Sequence, residues 1–194
     1  YKSMQMAARE LKEEGCGHKI TIIDSLSASL GEGLLVHKAL EQQKKGLGYD
    51  ELVKWIEDHK LNICHNFTVD DLFHLYRGGR VSKTTAILGT MIKIKPVLHV
   101  DNEGHLINVS KAHGRKKALA ELVASMERQI GSYRGKNDIV FISHGDCMED
   151  ANFVKRQIEE KFGIQNFLIN YVGPTIGAHS GPGTVALFYM GDVR

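Results

Sequence analysis

The stretch Gly177-Ala178-His179-Ser180-Gly181-Pro182-Gly183 sets one histidine among glycines, a proline and a serine, directly ahead of the apolar run Val185 to Tyr189. Glycine reaches backbone angles closed to other residues and proline fixes φ, while the aromatic and β-branched content of Thr184 to Met190 predicts a buried strand. The stretch reads as a sharp turn that holds an imidazole at the mouth of that strand. Such an imidazole can donate to an anion or move a proton, or it can simply hydrogen-bond the loop that carries it.

Four other groupings could carry chemistry. Arg77-Gly78-Gly79-Arg80-Val81-Ser82 puts two guanidinium groups around a glycine pair, a pattern that suits a carboxylate or phosphate because arginine donates in a fork. It equally suits a helix end with two solvated arginines. The segment lacks the Gly-Lys-Ser/Thr ending of a nucleotide-binding loop. His113-Gly114-Arg115-Lys116-Lys117 is a basic cluster, either solvated surface or a place where Arg115 and Lys116 dock an acidic patch of a partner. It is too short, and too poor in aromatics, to argue for nucleic acid.

Ser143-His144-Gly145-Asp146, with Glu149 beyond it, lies between a strand and a helix. These side chains could bind a metal, or Asp146 could cap the helix while His144 bonds the loop. Asp24-Ser25-Leu26-Ser27-Ala28-Ser29 supplies three hydroxyls at another strand end, and one of them is expected to cap the helix that begins near Leu30. No Gly-x-Ser-x-Gly elbow is present, and no nucleophile stands at a known spacing from a base. Leu26, Ala28, Leu30, Ile87, Leu88, Met91 and Ile92 lie beside glycine or small residues, which leaves room for an apolar tunnel or for ordinary core packing.

These groups need elements to hold them. Met4, Met6, Ala7, Ala8 and Leu11 have helical spacing with no N-cap ahead of them, so the chain reads as one entered midway, with an N-terminal segment absent. Gly15-Cys16-Gly17 ends that helix, and Ile20 to Ile23 reads as a short parallel strand. Leu30, Leu34, Leu35 and Ala39 predict a helix to about Lys45, a further helix starts at Tyr49-Asp50, and Asn62 to Val69 reads as a strand. Asp70 to Tyr76 is a short helix stopped by Gly78-Gly79, and Thr85 to Met91 is another helical piece. Ile92 to Val100 is a strand interrupted by Pro96, and Asp101 to Gly104 turns it back into Leu106 to Val109 as an antiparallel hairpin. Lys117 to Ile130 is an amphipathic helix. Ile139 to Ser143, a helix from Glu149 to Phe162, Phe167 to Val172, a loop and the last strand complete the chain.

Composition narrows the function classes. Hydrophobic residues make up 42% and charged residues 25%, ordinary for a globular protein. A formal net charge of +2 sets up no strong field for nucleic acid or an anionic membrane. Three scattered cysteines, Cys16, Cys64 and Cys147, fit a reducing cytoplasm better than a disulfide framework or a zinc site. No signal peptide and no apolar run of membrane-spanning length are found.

Five segments taken in order resemble the DegV family: Ile23 to Gly33, Asp71-Leu72 through Ser82, Ile94-Lys95-Pro96, Gly114 to Ala118, and Ala178 to Gly183. Each is weak alone, and the ordered set is specific. The resemblance implies an α/β fold in two domains: the remainder of a parallel N-terminal α/β domain over residues 1–70, and a C-terminal domain over 71–194 with a mostly antiparallel sheet flanked by helices. It implies a bacterial, cytoplasmic fatty-acid-binding protein of phospholipid metabolism. Such a protein buries a long-chain acyl group between its domains and presents the carboxylate to a separate fatty acid kinase subunit, with no catalytic residues, cofactor or metal of its own.

By the same resemblance His179 and Arg80 stand near the ligand carboxylate, Ser27 and Ser180 join the ligand site, and Arg115 with Lys116 contacts the kinase. Ala112-His113 departs from the small or basic residues that the family often has there. The family's threonine and serine for the carboxylate match positions upstream of Tyr1-Lys2-Ser3, so about a third of the family's length is expected to precede this chain. Other classes stay open: a phosphotransfer module, through the family's fold similarity to dihydroxyacetone kinase, a metal hydrolase on His144, Asp146 and Glu149, or a protein-interaction domain.

Overall fold

The computed structural model describes residues 1–82 and 94–194. Its helices are α1 (Lys2–Glu13), α2 (Leu30–Lys44), α3 (Tyr49–His59), α4 (Leu72–Arg77), α5 (Arg115–Gln129), α6 (Met148–Phe162) and α7 (Pro174–Ser180). Its strands are β1 (Ile63–Thr68), β2 (Ile94–Val100), β3 (Leu106–His113), β4 (Ile139–His144), β5 (Asn166–Tyr171) and β6 (Val185–Met190). They form one sheet in the order β3-β2-β1-β6-β4-β5. The β4–β5 pair, connected through α6, is parallel, and the other pairs are antiparallel.

The last strand is the middle of the molecule. β6 pairs with β1 on one side and β4 on the other, and all its residues are buried. Because successive side chains point to opposite faces, its apolar run feeds two cores at once. Val185, Leu187 and Tyr189 pack with Leu119, Leu122 and Met126 of α5 and Val154 and Ile158 of α6. Ala186, Phe188 and Met190 pack with Leu34 and Leu35 of α2 and Leu72 and Leu75 of α4. Helices therefore cover both faces of a mostly antiparallel sheet.

Several expectations change. Ile20 to Ile23 forms no strand, because among the described residues none pairs with it and an extended run without a partner has no ladder. Pro96 does not interrupt β2: it pairs with Lys111 of β3, while the β1 pairing begins only at Val97, so its missing N–H falls beyond the β1 ladder. Its carbonyl accepts the Thr68 hydroxyl at 2.7 Å, and the irregularity sits instead at Val97/Leu98. The expected loop before β6 contains α7, started by Pro174 at the first helical position. The helical piece Thr85 to Met91, and Ile87, Leu88, Met91 and Ile92 of the expected tunnel, lie outside the described residues.

α2 approaches the sheet closely. A Cβ on Gly31 would lie 2.2 Å from His65 Nε2 and 3.0 Å from the Phe188 ring, so glycine is required here by space. Gly31→Ala should lower stability by about 2 kcal/mol, the range of core overpacking. The readout is the urea midpoint, and an unchanged midpoint would mean that the helix shifts away freely.

Candidate functional site

The α2 face of the sheet is not filled. A cavity of about 270 Å³ lies there, bounded by Phe67 of β1, Ala186 and Phe188 of β6, the β2–β3 hairpin, α4, α7 and the loop before α2. Its polar lining includes His179, Ser180, Thr184, Arg80, Ser29 and Ser143. Among the described residues lining it, Arg80 is the charged one and none is a carboxylate.

His179 is the penultimate residue of α7, and half-buried. The Ser180 hydroxyl donates back to the Ile176 carbonyl at 3.0 Å, and the chain then leaves the helix through Gly181 and Gly183 at φ +78° and +76°. The sharp turn expected around the histidine is therefore confined to Gly181 to Thr184. Close contact explains its glycines: a Cβ on Gly181 would lie 2.6 Å from the His74 ring, and one on Gly145 would lie 2.8 Å from the Gly181 carbonyl oxygen. Gly183 N–H donates to Gly145 O at 2.7 Å, Gly145 N–H to Thr184 O at 2.8 Å, and the Thr184 hydroxyl to Gly181 O at 2.8 Å.

The glycine pair ends α4, as one reading of that motif has it, and Arg80 also borders the cavity, as the other requires. Gly78 is the helix C-cap, and its small size admits the His179 ring: a Cβ there would lie 2.1 Å from Nδ1. Arg80 is exposed and donates from Nη1 to the Gly78 carbonyl at 2.5 Å. Helix end and histidine are thus packed together by one missing side chain.

The serine loop differs from expectation. Ser29 stands at the N-cap of α2, but its side chain makes no capping bond; at φ +55° it turns its hydroxyl to donate to Ser143 Oγ at 3.1 Å. Ser29 and Ser143 line the cavity, whereas Ser27 does not, donating to Ser25 O at 3.0 Å and accepting from Arg194 Nη2 at 2.8 Å. Ala28 lines the cavity as well, and Leu26 packs near Gly104 at its hairpin edge.

Asp146 does not cap α6, whose N-cap is Cys147; Asp146 sits at φ +54° and is exposed. His144 is fully buried and accepts the Cys147 N–H at 3.2 Å, while Glu149 is exposed, so burial separates the three residues of the hydrolase reading. In the basic cluster Lys116 and Lys117 face solvent, but Arg115 turns inward to Asp150, with Nε to Oδ2 at 2.8 Å. The three cysteines are free, and burial pushes the Cys64 thiol up to about 12, which leaves it un-ionised and inert.

His65 is a cavity residue outside the motifs that sequence reasoning singles out. It sits on β1 between Cys64 and Asn66, is 2% exposed, lines the cavity and packs edge-on to Phe188, with neither ring nitrogen hydrogen-bonded. Its position two residues from both Ile63 and Phe67 on the same strand face is the available signal.

The DegV family model, described as "Uncharacterised protein, DegV family", matches residues 1–192. This chain belongs to the DegV family. A DegV domain-containing protein of Clostridium perfringens, CPE0026, is 43% identical over 194 residues, covering 100% of this chain and 66% of that protein. The chain thus spans about two thirds of the length of that relative. The structure of the fatty acid binding DegV family protein SAG1342 from Streptococcus agalactiae is similar, with 30% identity and a TM-score of 0.77 over 96% of this chain and 65% of that one. The fold also matches the Streptococcus pneumoniae Fatty Acid Kinase (Fak) B3 protein loaded with linoleic acid, at 24% identity and a TM-score of 0.89, over 98% of this chain and 66% of that one.

Burial depresses the His65 pKa to about 3, so this DegV imidazole is neutral at pH 7. The unfolded chain takes up that proton near pH 6.5 and the folded one only near 3, so stability falls as pH drops between those values, by about 1.4 kcal/mol per unit. Between pH 7.5 and 5 the wild type should lose about 2 kcal/mol that His65→Asn does not lose. Urea titrations at both pH values check this, and equal losses would mean that His65 protonates while folded.

Proposed function

We propose that this DegV protein is a bacterial, cytoplasmic fatty-acid carrier without catalysis of its own, which buries a long-chain acyl group and presents its carboxylate to a separate kinase subunit that makes the acyl phosphate. The observation that carries the reading is the character of the cavity: aromatic and aliphatic walls, a histidine and an arginine at its polar border, and no carboxylate among the described lining residues. An amphiphile with an anionic head fits that lining, and a cation or a polar solute does not. SAG1342, described as fatty acid binding, and Fak B3, loaded with linoleic acid, support the same ligand class.

Apolar burial supplies most of the affinity in this reading. At about 0.8 kcal/mol per methylene, a chain of ~16 carbons contributes on the order of 10 kcal/mol before ordering costs. His179 and Arg80 then set orientation by meeting the carboxylate. Ser180 fixes the end of α7 beneath His179, and Ser27, held by Arg194, keeps Ser29 at the cavity. Residues 1–70 are read as the remainder of an N-terminal α/β domain that lends β1 to the sheet of residues 71–194, and exposed Lys116 as belonging to the face that docks the kinase.

Native mass spectrometry of the full-length natural chain, purified from lipid-replete cells, should detect bound fatty acid of about 14 to 18 carbons. After delipidation, His179→Ala should weaken palmitate binding about tenfold or more, the value of a hydrogen bond to a charged group, while Lys117→Ala leaves it unchanged. A full-length chain that never carries or takes up fatty acid would overturn the reading.

A further inference from the structure

Arg115 makes contacts that a docking residue does not need. Its side chain is 20% exposed and turned under the glycine turn that follows His179. Nη2 donates to the Gly183 carbonyl at 2.5 Å and Nε to Asp150 Oδ2 at 2.8 Å, while Nη1 lies 3.5 Å from Asp70 Oδ1. Two carboxylates from two different elements therefore flank the guanidinium, Asp150 through a hydrogen bond and Asp70 through an ion pair without one, while Nη2 serves the Gly183 carbonyl and lies 3.8 Å from Cys147 Sγ. Asp70 is itself fixed, since Lys95 Nζ lies 3.0 Å from its carboxylate and donates to its carbonyl at 3.1 Å.

Gly183 is pinned from both sides. A Cβ on it would lie 2.5 Å from Asp70 Oδ2, so the Asp70 carboxylate packs against its Cα while Arg115 holds its carbonyl and Gly145 accepts its N–H. A glycine at φ +76° has the widest alternative backbone freedom of any residue, and it keeps one conformation only where neighbours over-determine it. Gly183 separates His179 and Ser180 from Thr184, all of which line the cavity.

We propose that Arg115 is a positioning residue for the ligand head site: through the Gly183 carbonyl and Asp70 it fixes the turn that sets His179, Ser180 and Thr184 at the cavity. This rests on the reading of the cavity as a fatty-acid site, and it assigns Arg115 a role that needs no partner protein. Lys116, the next residue, is exposed and plays no role in it.

The experiment uses the full-length natural chain and pure palmitate, with no kinase present. Arg115→Met, which keeps the aliphatic stem and removes the fork, is compared with Arg115→Lys, Lys116→Ala and Val123→Ala, the last lowering stability from the opposite face of the sheet. Palmitate affinity and the NMR resonance of His179 Cε1–H in ligand-free protein are measured for each. Arg115→Met should weaken palmitate binding about tenfold and shift the His179 resonance, the range expected for loss of a hydrogen bond to a charged group. Arg115→Lys should recover some of both, since it keeps the charge without the fork. Lys116→Ala and Val123→Ala should match the wild type in both. Wild-type affinity and an unmoved His179 resonance in Arg115→Met overturn the proposal, as does an equal effect in Val123→Ala. If the wild type itself takes no palmitate, the fatty-acid reading falls, and the His179 resonance alone decides the positioning role.

Discussion

Neighbouring groups press so closely on the glycines of Gly181 to Thr184 and on Gly145 that none of the three has room for a Cβ, and the rest of the site depends on that approach. Gly145 of the β4–α6 turn exchanges hydrogen bonds with Gly183 and Thr184, so the ends of the two adjacent strands β4 and β6 are tied at the same level. His74 of α4 packs against Gly181, and Asp70 of the β1–α4 connection packs against Gly183. Each contact joins a different element to the start of β6. A larger residue at any of these glycines would push neighbouring elements away from each other and move the histidine that precedes them.

The sheet then divides the labour between its faces. One face is closed by α5 and α6 in a continuous apolar core that runs from Val97 to Tyr189. The other carries α2 and α4, which cover it incompletely and leave the cavity between them, the hairpin and α7. β6 belongs to both faces, so the strand that packs Val185, Leu187 and Tyr189 into the closed one also sets Ala186 and Phe188 in the wall of the open one. A buried neutral histidine in that wall adds polarity without a charge, which suits an apolar chain better than a buried ion would.

Legibility in the sequence follows how local the cause is. α5 can be read because Leu119, Leu122, Val123 and Met126 repeat at helical spacing and are among the residues buried in it. β6 can be read because its run is apolar throughout, as a strand buried on both faces must be. Ile20 to Ile23 has the same local pattern but no partner among the described residues, and Pro96 reads as a break only because which side of a strand is paired depends on its neighbours. α7 is short and glycine-containing, so its helix owes more to Pro174 and to packing against α4 than to propensity. In the candidate site, His179 and Arg80 stand out by their glycine surroundings, while Ser29 rather than Ser27 lines the cavity, at a backbone angle that residue types do not reveal. Arg115 reads as surface because Asp70 and Asp150, which turn it inward, are brought to it by the fold.

The proposed carrier role places an acyl chain against Phe67, Ala186 and Phe188 with its carboxyl group toward His179. A crystal structure of the full-length natural chain loaded with palmitate tests it most directly. Continuous acyl density along those three residues is expected, with a carboxylate oxygen within hydrogen-bonding distance of the His179 ring. Density that leaves this cavity empty and places the acyl chain elsewhere, as in the groove of Ala120, Ala124 and Gln157 between α5 and α6, would contradict it.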